Sequence, residues 1–275
     1  MAQPFCHSPQ NIWHGQGVVE SNDRLTEDTW RLALRTAEVL PVARPGQFAM
    51  LRLPNSADPL LGRPLALYRA EPHHIEVVYL SVGKMTHRLT KVKPAEPLEI
   101  WMPLGNGFPD DAVVKGDVQH TIIVAGGIGQ TPFLMYCQNR QERVSLLYGA
   151  RTASRIACMD DFRQQGIEPV LSTDDGSLGY HGLVTDLIEK VYQPGEAARL
   201  LCCGPLPMLR SAFQTAQKLD MPCLVSLETP MSCGLGICFG CVVHYRESEY
   251  SAWDYRRTCT DGPVFDAYKL RWEGC

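Results

Sequence analysis

From Trp13 to about Pro109 the apolar positions fall in short runs, several of which alternate with polar ones. Val18–Glu20, Trp30–Leu34, Phe48–Leu53, Leu65–Tyr68, His74–Leu80 and Leu98–Trp101 read as strands, and Gly or Pro punctuates most of the gaps. Short strands at regular spacing predict an antiparallel barrel or sandwich, with one short helix over Met85–Thr90. Near Val118 the texture changes. Thr121-Ile122-Ile123-Val124-Ala125 is a short apolar run suited to a buried parallel strand. Further strands are expected at Val144–Tyr148, Glu168–Ser172 and Arg199–Cys203, and helices at Pro132–Arg140, Val184–Val191 and Pro207–Leu219. Strands alternating with helices predict a parallel sheet of βαβ units. The C-terminal stretch changes again: it is rich in glycine and cysteine and ends its motif with a strand at Val242–Tyr245. Residues 1–10 show no pattern and are expected to wander.

Composition narrows the picture. The chain has 275 residues, 45% hydrophobic and 20% charged, which excludes a disordered chain, a collagen and a coiled coil. A net charge of −4 argues against a nucleic-acid binder, which carries a basic patch. No apolar run approaches the ~20 residues that span a bilayer. Met1–Asn11 has neither the basic nor the apolar region of a secretory signal, so a cytoplasmic protein is expected.

Two loops carry candidate chemistry. Ala125-Gly126-Gly127-Ile128-Gly129-Gln130-Thr131-Pro132 joins a strand to a helix. Glycines let a diphosphate approach the main chain, and Thr131 is placed to cap the helix with Pro132 in its first turn. The third glycine of the dinucleotide fingerprint is absent, so a plain βα turn is an equal reading of this loop taken alone. Asp174 and Asp175, after another strand, suit ribose hydroxyls and would repel a 2′-phosphate, favouring NAD; a solvated turn is the plainer reading of either. Cys203-Gly204-Pro205 ends the next strand on the same sheet edge.

The second loop is Cys233-Gly-Leu-Gly-Ile-Cys238-Phe-Gly-Cys241, a C-x4-C-x2-C spacing with Cys259 as the fourth candidate and Cys223 and Cys275 as rivals. That is the plant-type ferredoxin spacing for a 2Fe-2S cluster. Zinc, which favours two short ligand pairs, fits less well, and buried free thiols are the non-metal alternative. Cys6, Cys137, Cys158 and Cys202 have no ligand spacing.

Taken together the motifs resemble the electron-transfer subunits of class 1B, NAD-dependent dihydroorotate dehydrogenase, within the ferredoxin-reductase superfamily. The resemblance runs from about Gly17 to Val264. It rests on Arg63-Pro64-Leu65-Ala66-Leu67, Val82-Gly83-Lys84-Met85-Thr86, Leu104–Phe108, Ala125–Gly129, Cys203–Leu209, Ser226-Leu227-Glu228 and Thr260–Phe265. It implies a multi-domain β and α/β protein: an antiparallel FAD-binding β-barrel over 11–112, a Rossmann-like NAD-binding domain over 117–222 and a small 2Fe-2S lobe over 223–275. It implies flavin contacts from Arg63, Pro64, Leu65, Ala66, Val78, Tyr79, Leu80, Gly83, Met85 and Thr86. NAD contacts fall to Gly126, Gly127, Ile128, Gly129, Thr131, Pro132, Asp174, Asp175, Gly204 and Pro205. Cluster ligands are Cys233, Cys238, Cys241 and Cys259, and Glu228 and Cys203 lie near flavin and nicotinamide as catalytic candidates. Ala66, Leu80 and Met85 stand where the family has Ser, Arg and Gly. The resemblance further implies an FMN-containing catalytic partner in a heterotetramer, with no nucleic acid and no membrane. A subunit of another redox complex, of NAD(P)H:ferredoxin reductase, sulfhydrogenase or sulfite reductase type, is the competing reading; a zinc-stabilised scaffold is the non-enzymatic one. Tyr245, Tyr250, Trp253 and Tyr255 are expected to pack at least two of their rings into the cluster lobe, the others being available to a partner.

Overall fold

The computed structural model describes residues 11–109, 118–138 and 140–272. Residues 1–10, Cys6 and Cys275 fall outside them, as does the expected junction between the first two modules. Six strands form a closed antiparallel barrel: β1 (Trp13–Arg24), β2 (Thr29–Thr36), β3 (Phe48–Arg52), β4 (Arg63–Glu71), β5 (His74–Leu80) and β6 (Pro97–Leu104), in the order β1-β2-β5-β4-β3-β6. Period-two alternation sends Leu32, Leu34, Leu51, Ile75, Val77 and Ile100 inward, where each is fully buried. A short helix, α1 (Lys84–Leu89), closes one end by burying Met85 and Leu89 in the same core.

The second module is a seven-stranded sheet. Its strands are β7 (His120–Gly126), β8 (Arg143–Ala150), β9 (Val170–Thr173), β10 (Tyr180–His181), β11 (Ala198–Cys203), β12 (Cys223–Ser226) and β15 (Val264–Asp266). The helices α2 (Phe133–Cys137), α3 (Met159–Gln164), α4 (Ile188–Val191) and α5 (Leu206–Lys218) connect them. The sheet order is β10-β9-β8-β7-β11-β12-β15, parallel except for β15, and every residue of β7 is buried. The expected helix over Pro132–Arg140 is shorter, because Gln138 turns extended. The strands β12 and β15 belong to this sheet, with Cys203 opposite Ser226 and Ser226 opposite Val264. The cysteine loop and the hairpin β13 (Val242–Tyr245) with β14 (Asp254–Arg257) are therefore an excursion between two sheet strands that lie on the far side of residue 222.

One carboxylate joins barrel to sheet. Asp161 on α3 pairs with Arg31 and accepts hydrogen bonds from Arg69 Nη2 and Tyr68 Oη, both at 2.8 Å. All three partners stand on β2 and β4. Burial is tolerable for these charges because each has a charged or hydroxyl partner.

Candidate functional site

The order of strands reverses at β7: the chain builds outward through β8 to β10 on one side and through β11 and β12 on the other. Such a switch point leaves a crevice at the carboxyl ends of the strands. A cleft of about 380 Å³ lies there. Its floor is the turn after β7, with Gly126, Gly127, Ile128 and Gln130; Pro205 and Met208 come from the turn after β11, and Thr29 and Leu80 from the barrel. The two turns are pressed together: a Cβ on Gly129 would stand 2.1 Å from the Cys203 carbonyl oxygen. Gly127 takes φ 54°, where a side chain would be strained.

Thr131 does not cap a helix. The segment Gly127–Gln130 is itself a tight 3-10 turn, and the Thr131 hydroxyl donates back to the Ile128 carbonyl at 2.6 Å. Gly129, Thr131, Pro132 and Gly204 shape the turns rather than line the cleft. Asp174 lines it, whereas Asp175 is turned to Ser177, whose hydroxyl and N–H donate to it at 2.6 and 3.0 Å. Those bonds hold the Asp175 carboxyl below its ordinary range. Arg151 and Arg155 also line the cleft, and Arg155 crosses to Asp28 on the barrel side at 2.5 Å.

The barrel residues divide by strand geometry. Arg63, Pro64, Leu65 and Ala66 are half-buried along β4. The Arg63 guanidinium donates to the carbonyls of Leu61 and Gly62 at 3.1 and 3.0 Å. The side chains of Val78 and Tyr79 are core, and Tyr79 Oη donates to Asn22 at 3.1 Å, so they offer a ligand only main chain. Met85 is buried too, which explains how a methionine occupies a position where the family has glycine: its side chain goes into the barrel. The Thr86 hydroxyl accepts from the N–H groups of Val82 and Gly83 at 3.1 and 3.0 Å, folding the start of α1. Around Gly83 the space is open, leaving its main chain approachable.

The cysteine loop sits on the barrel. Cys241 and Cys259 are buried against Phe48, Met50 and Leu104, and Trp101 Nε1 donates to the Cys233 carbonyl at 3.4 Å. The four thiols stand as two pairs, Cys233 with Cys238 and Cys241 with Cys259. Burial raises Cys233, but N–H groups of Leu235, Cys238 and Ile237, with the Cys238 thiol, bring it down to about 6. Burial and the neighbouring Cys241 push Cys259 up to about 12. Such thiol pairs, with amide N–H groups aimed at sulfur, suit two metal atoms held by two thiolates each, and among the described residues no three potential ligands stand together as a ready-made single-metal centre. Cys223 is no rival, since it lies buried on β12 beside Cys202. Cys137 and Cys202 are core thiols, and Cys158 accepts from Arg31 at 3.4 Å. Of the four aromatic residues beyond the loop only Tyr245 is buried; Tyr250, Trp253 and Tyr255 are exposed, against the expectation that two would pack.

Cys203 closes β11, and the charge of Glu228 reaches it from the end of β12. Burial first, then that charge, pushes the Cys203 thiol up to about 12, so it stays protonated at neutral pH. Sequence reasoning passed over Gln130, Thr29 and Met208 as cleft residues; nothing in their residue types marks them.

Comparison with known proteins gives one consistent answer. Residues 228–271 match the iron–sulfur cluster binding domain of dihydroorotate dehydrogenase B, and residues 123–214 match an oxidoreductase NAD-binding domain. The chain is 37% identical to the electron transfer subunit of dihydroorotate dehydrogenase B (NAD(+)) of Geobacillus thermodenitrificans, over 91% of this chain and 95% of that one. It is 32% identical to the subunit of the same name from Desulforamulus reducens, over 90% and 94%. Among solved structures it superposes on an NADH-dependent reduced ferredoxin-NADP oxidoreductase with a TM-score of 0.79 at 25% identity, covering 94% of this chain and 90% of that one. The barrel, the switch-point cleft and the paired thiols thus coincide with a shared ancestry along nearly the whole length, and the chain belongs to the electron transfer subunits of dihydroorotate dehydrogenase B (NAD(+)).

Proposed function

We propose that this chain carries electrons between NAD and the FMN of a dihydroorotate-oxidising catalytic partner, by way of FAD and a 2Fe-2S cluster. The observation that carries the reading is adjacency: the cleft of the sheet opens onto Leu80 and Thr29 of the barrel, and the thiol pairs pack on strands β3 and β6 of the same barrel. When bound, FAD exchanges a hydride's two electrons with NAD and single electrons with the cluster.

The chain's own residues hold and orient these groups. Gly126, Gly127 and Ile128 let a dinucleotide phosphate approach the main chain, and Asp174 favours a free ribose hydroxyl and hence NAD. Arg63 to Ala66 and the main chain of Val78, Tyr79, Leu80 and Gly83 support the flavin. The thiolates of Cys233, Cys238, Cys241 and Cys259 hold the cluster, and the Leu235 N–H, 3.4 Å from the Cys233 sulfur, tunes it. Cys203 and Glu228 border the nicotinamide end, Cys203 as a neutral thiol. The three modules are assigned as 11–112, 117–222 and 223–275, with the cluster lobe anchored by β12 and β15. Leu235, Ile237 and Phe239 are exposed on the cysteine loop and form the face for the catalytic subunit in a heterotetramer. Among the described residues no helix is long and apolar enough to cross a membrane, and the described cysteines are free thiols, in accord with a cytoplasmic place.

The likeness to the reduced-ferredoxin oxidoreductase keeps one other reading, a subunit of a different NAD(P)H-linked complex; the protein that co-purifies separates the two. The primary test is an anaerobic visible spectrum before and after NADH. Flavin and cluster bands bleached by NADH are expected. A colourless protein after attempted reconstitution with FAD, iron and sulfide would overturn the proposal.

A further inference from the structure

Gln130 is 1% exposed, and neither its amide nitrogen nor its carbonyl oxygen has a hydrogen-bond partner in the protein. It lines the cleft at the end of the 3-10 turn, where that turn lies against β5 of the barrel as well as β8 and β11. A buried donor or acceptor left unmet costs about 1–3 kcal/mol, so a chain that places both side by side needs a partner for them. An apolar residue of similar length would fill the same space without that cost.

We infer that Gln130 is a positioning and specificity residue for the dinucleotide, its carboxamide making a donor–acceptor pair with the bound NAD. The inference rests on the functional reading above. Three parts of NAD both donate and accept: the nicotinamide carboxamide, the ribose hydroxyls and the amino edge of adenine. A diphosphate only accepts and would leave the Gln130 oxygen unmet.

The test is Gln130→Met in the cofactor-loaded protein, measuring the melting temperature without nucleotide and the affinities for NAD+ and for ADP-ribose, which lacks nicotinamide. Without nucleotide the variant is expected to melt at the wild-type temperature or a few degrees above it, because an unmet polar group has been removed. Its affinity for NAD+ is expected to fall at least tenfold. A fall for NAD+ alone assigns the contact to the nicotinamide; an equal fall for ADP-ribose assigns it to the ADP-ribose part, adenine or ribose. An NAD+ affinity within twofold of wild type overturns the inference, as does a lowered melting temperature, which would make Gln130 a structural residue satisfied by internal water. If wild-type protein itself fails to bind NAD+, the functional reading falls first, and that outcome is read from the wild type alone.

Discussion

The turn after β7 and the loop from Cys233 to Cys241 are both glycine-rich and both border a cofactor site, yet they are fixed by different means. The turn is wedged between strand ends: β7 is buried throughout, and Gly129 rests directly on the Cys203 main chain. The loop packs along its inner edge, where Cys241 is buried and a Cβ on Gly234 would stand 2.7 Å from Met50, while Ile237 is 77% and Phe239 62% exposed. Its described outer tethers include the Leu235 N–H to sulfur and Arg257 donating to the Gly236 carbonyl at 3.1 Å. The sheet therefore prepares the dinucleotide site in advance, and the bound metal completes the other.

The largest expected effect breaks this contrast at the loop. Cys241→Ser or Cys259→Ser should lower bound iron by more than about tenfold, since even outer partners of metal ligands are worth about 10–100-fold. Limited proteolysis should then cut within 228–261 while the barrel and the sheet survive. Unchanged iron content would contradict the ligand assignment.

Next comes the same substitution placed in both loops. Gly129→Ala sets a Cβ against backbone and should cost about 3 kcal/mol or more, as the strand ends must part. Gly236→Ala, at φ 77° and with the Thr260 and Arg257 side chains as its nearest neighbours, should cost about 1–2 kcal/mol. Urea midpoints compare them; equal losses would erase the distinction between a prepared turn and a yielding loop.

The smallest effect sharpens the comparison through pH. A thiol alkylates as its thiolate, and the thiolate fraction grows as pH rises through the pKa. In cluster-free protein Cys233, lowered to about 6, should label with iodoacetamide at neutral pH and slow below about pH 5. Cys203, raised to about 12 and buried, should stay unlabelled across that range. Peptide mapping after timed alkylation reads both, and loading the cluster should protect Cys233.

The fold was legible where a pattern ran long enough. The apolar run of β7 and the alternation of β2 and β5 mark buried and half-buried strands without ambiguity. Strand β1 is longer than its Val18–Glu20 signal because one face of it meets solvent and Gly15 and Gly17 interrupt the alternation. The short strands β12 and β15 carry too few residues to announce themselves, and their pairing joins positions separated by the whole cysteine lobe. The candidate cluster ligands could be named from the sequence because their C-x4-C-x2-C spacing singles them out. The expected flavin contacts were less so: resemblance named Val78, Tyr79 and Met85, and only burial shows their side chains packed away, Tyr79 and Met85 in the barrel core and Val78 with Ile123 and Ala125 of the sheet. Gln130 was illegible for a simpler reason. A polar residue in a turn looks solvated until the strands around it close over it.

The Asp161 carboxylate gives the two larger modules a common thermodynamic fate. Because Arg31, Arg69 and Tyr68 of the barrel all bond to it, parting the modules would break three polar contacts at once. A ligand held by the sheet therefore protects the barrel by mass action, at about 2.7 kcal/mol for a hundredfold excess over its Kd. Occupancy of one cofactor site is in this way felt as heat resistance in the module that houses another.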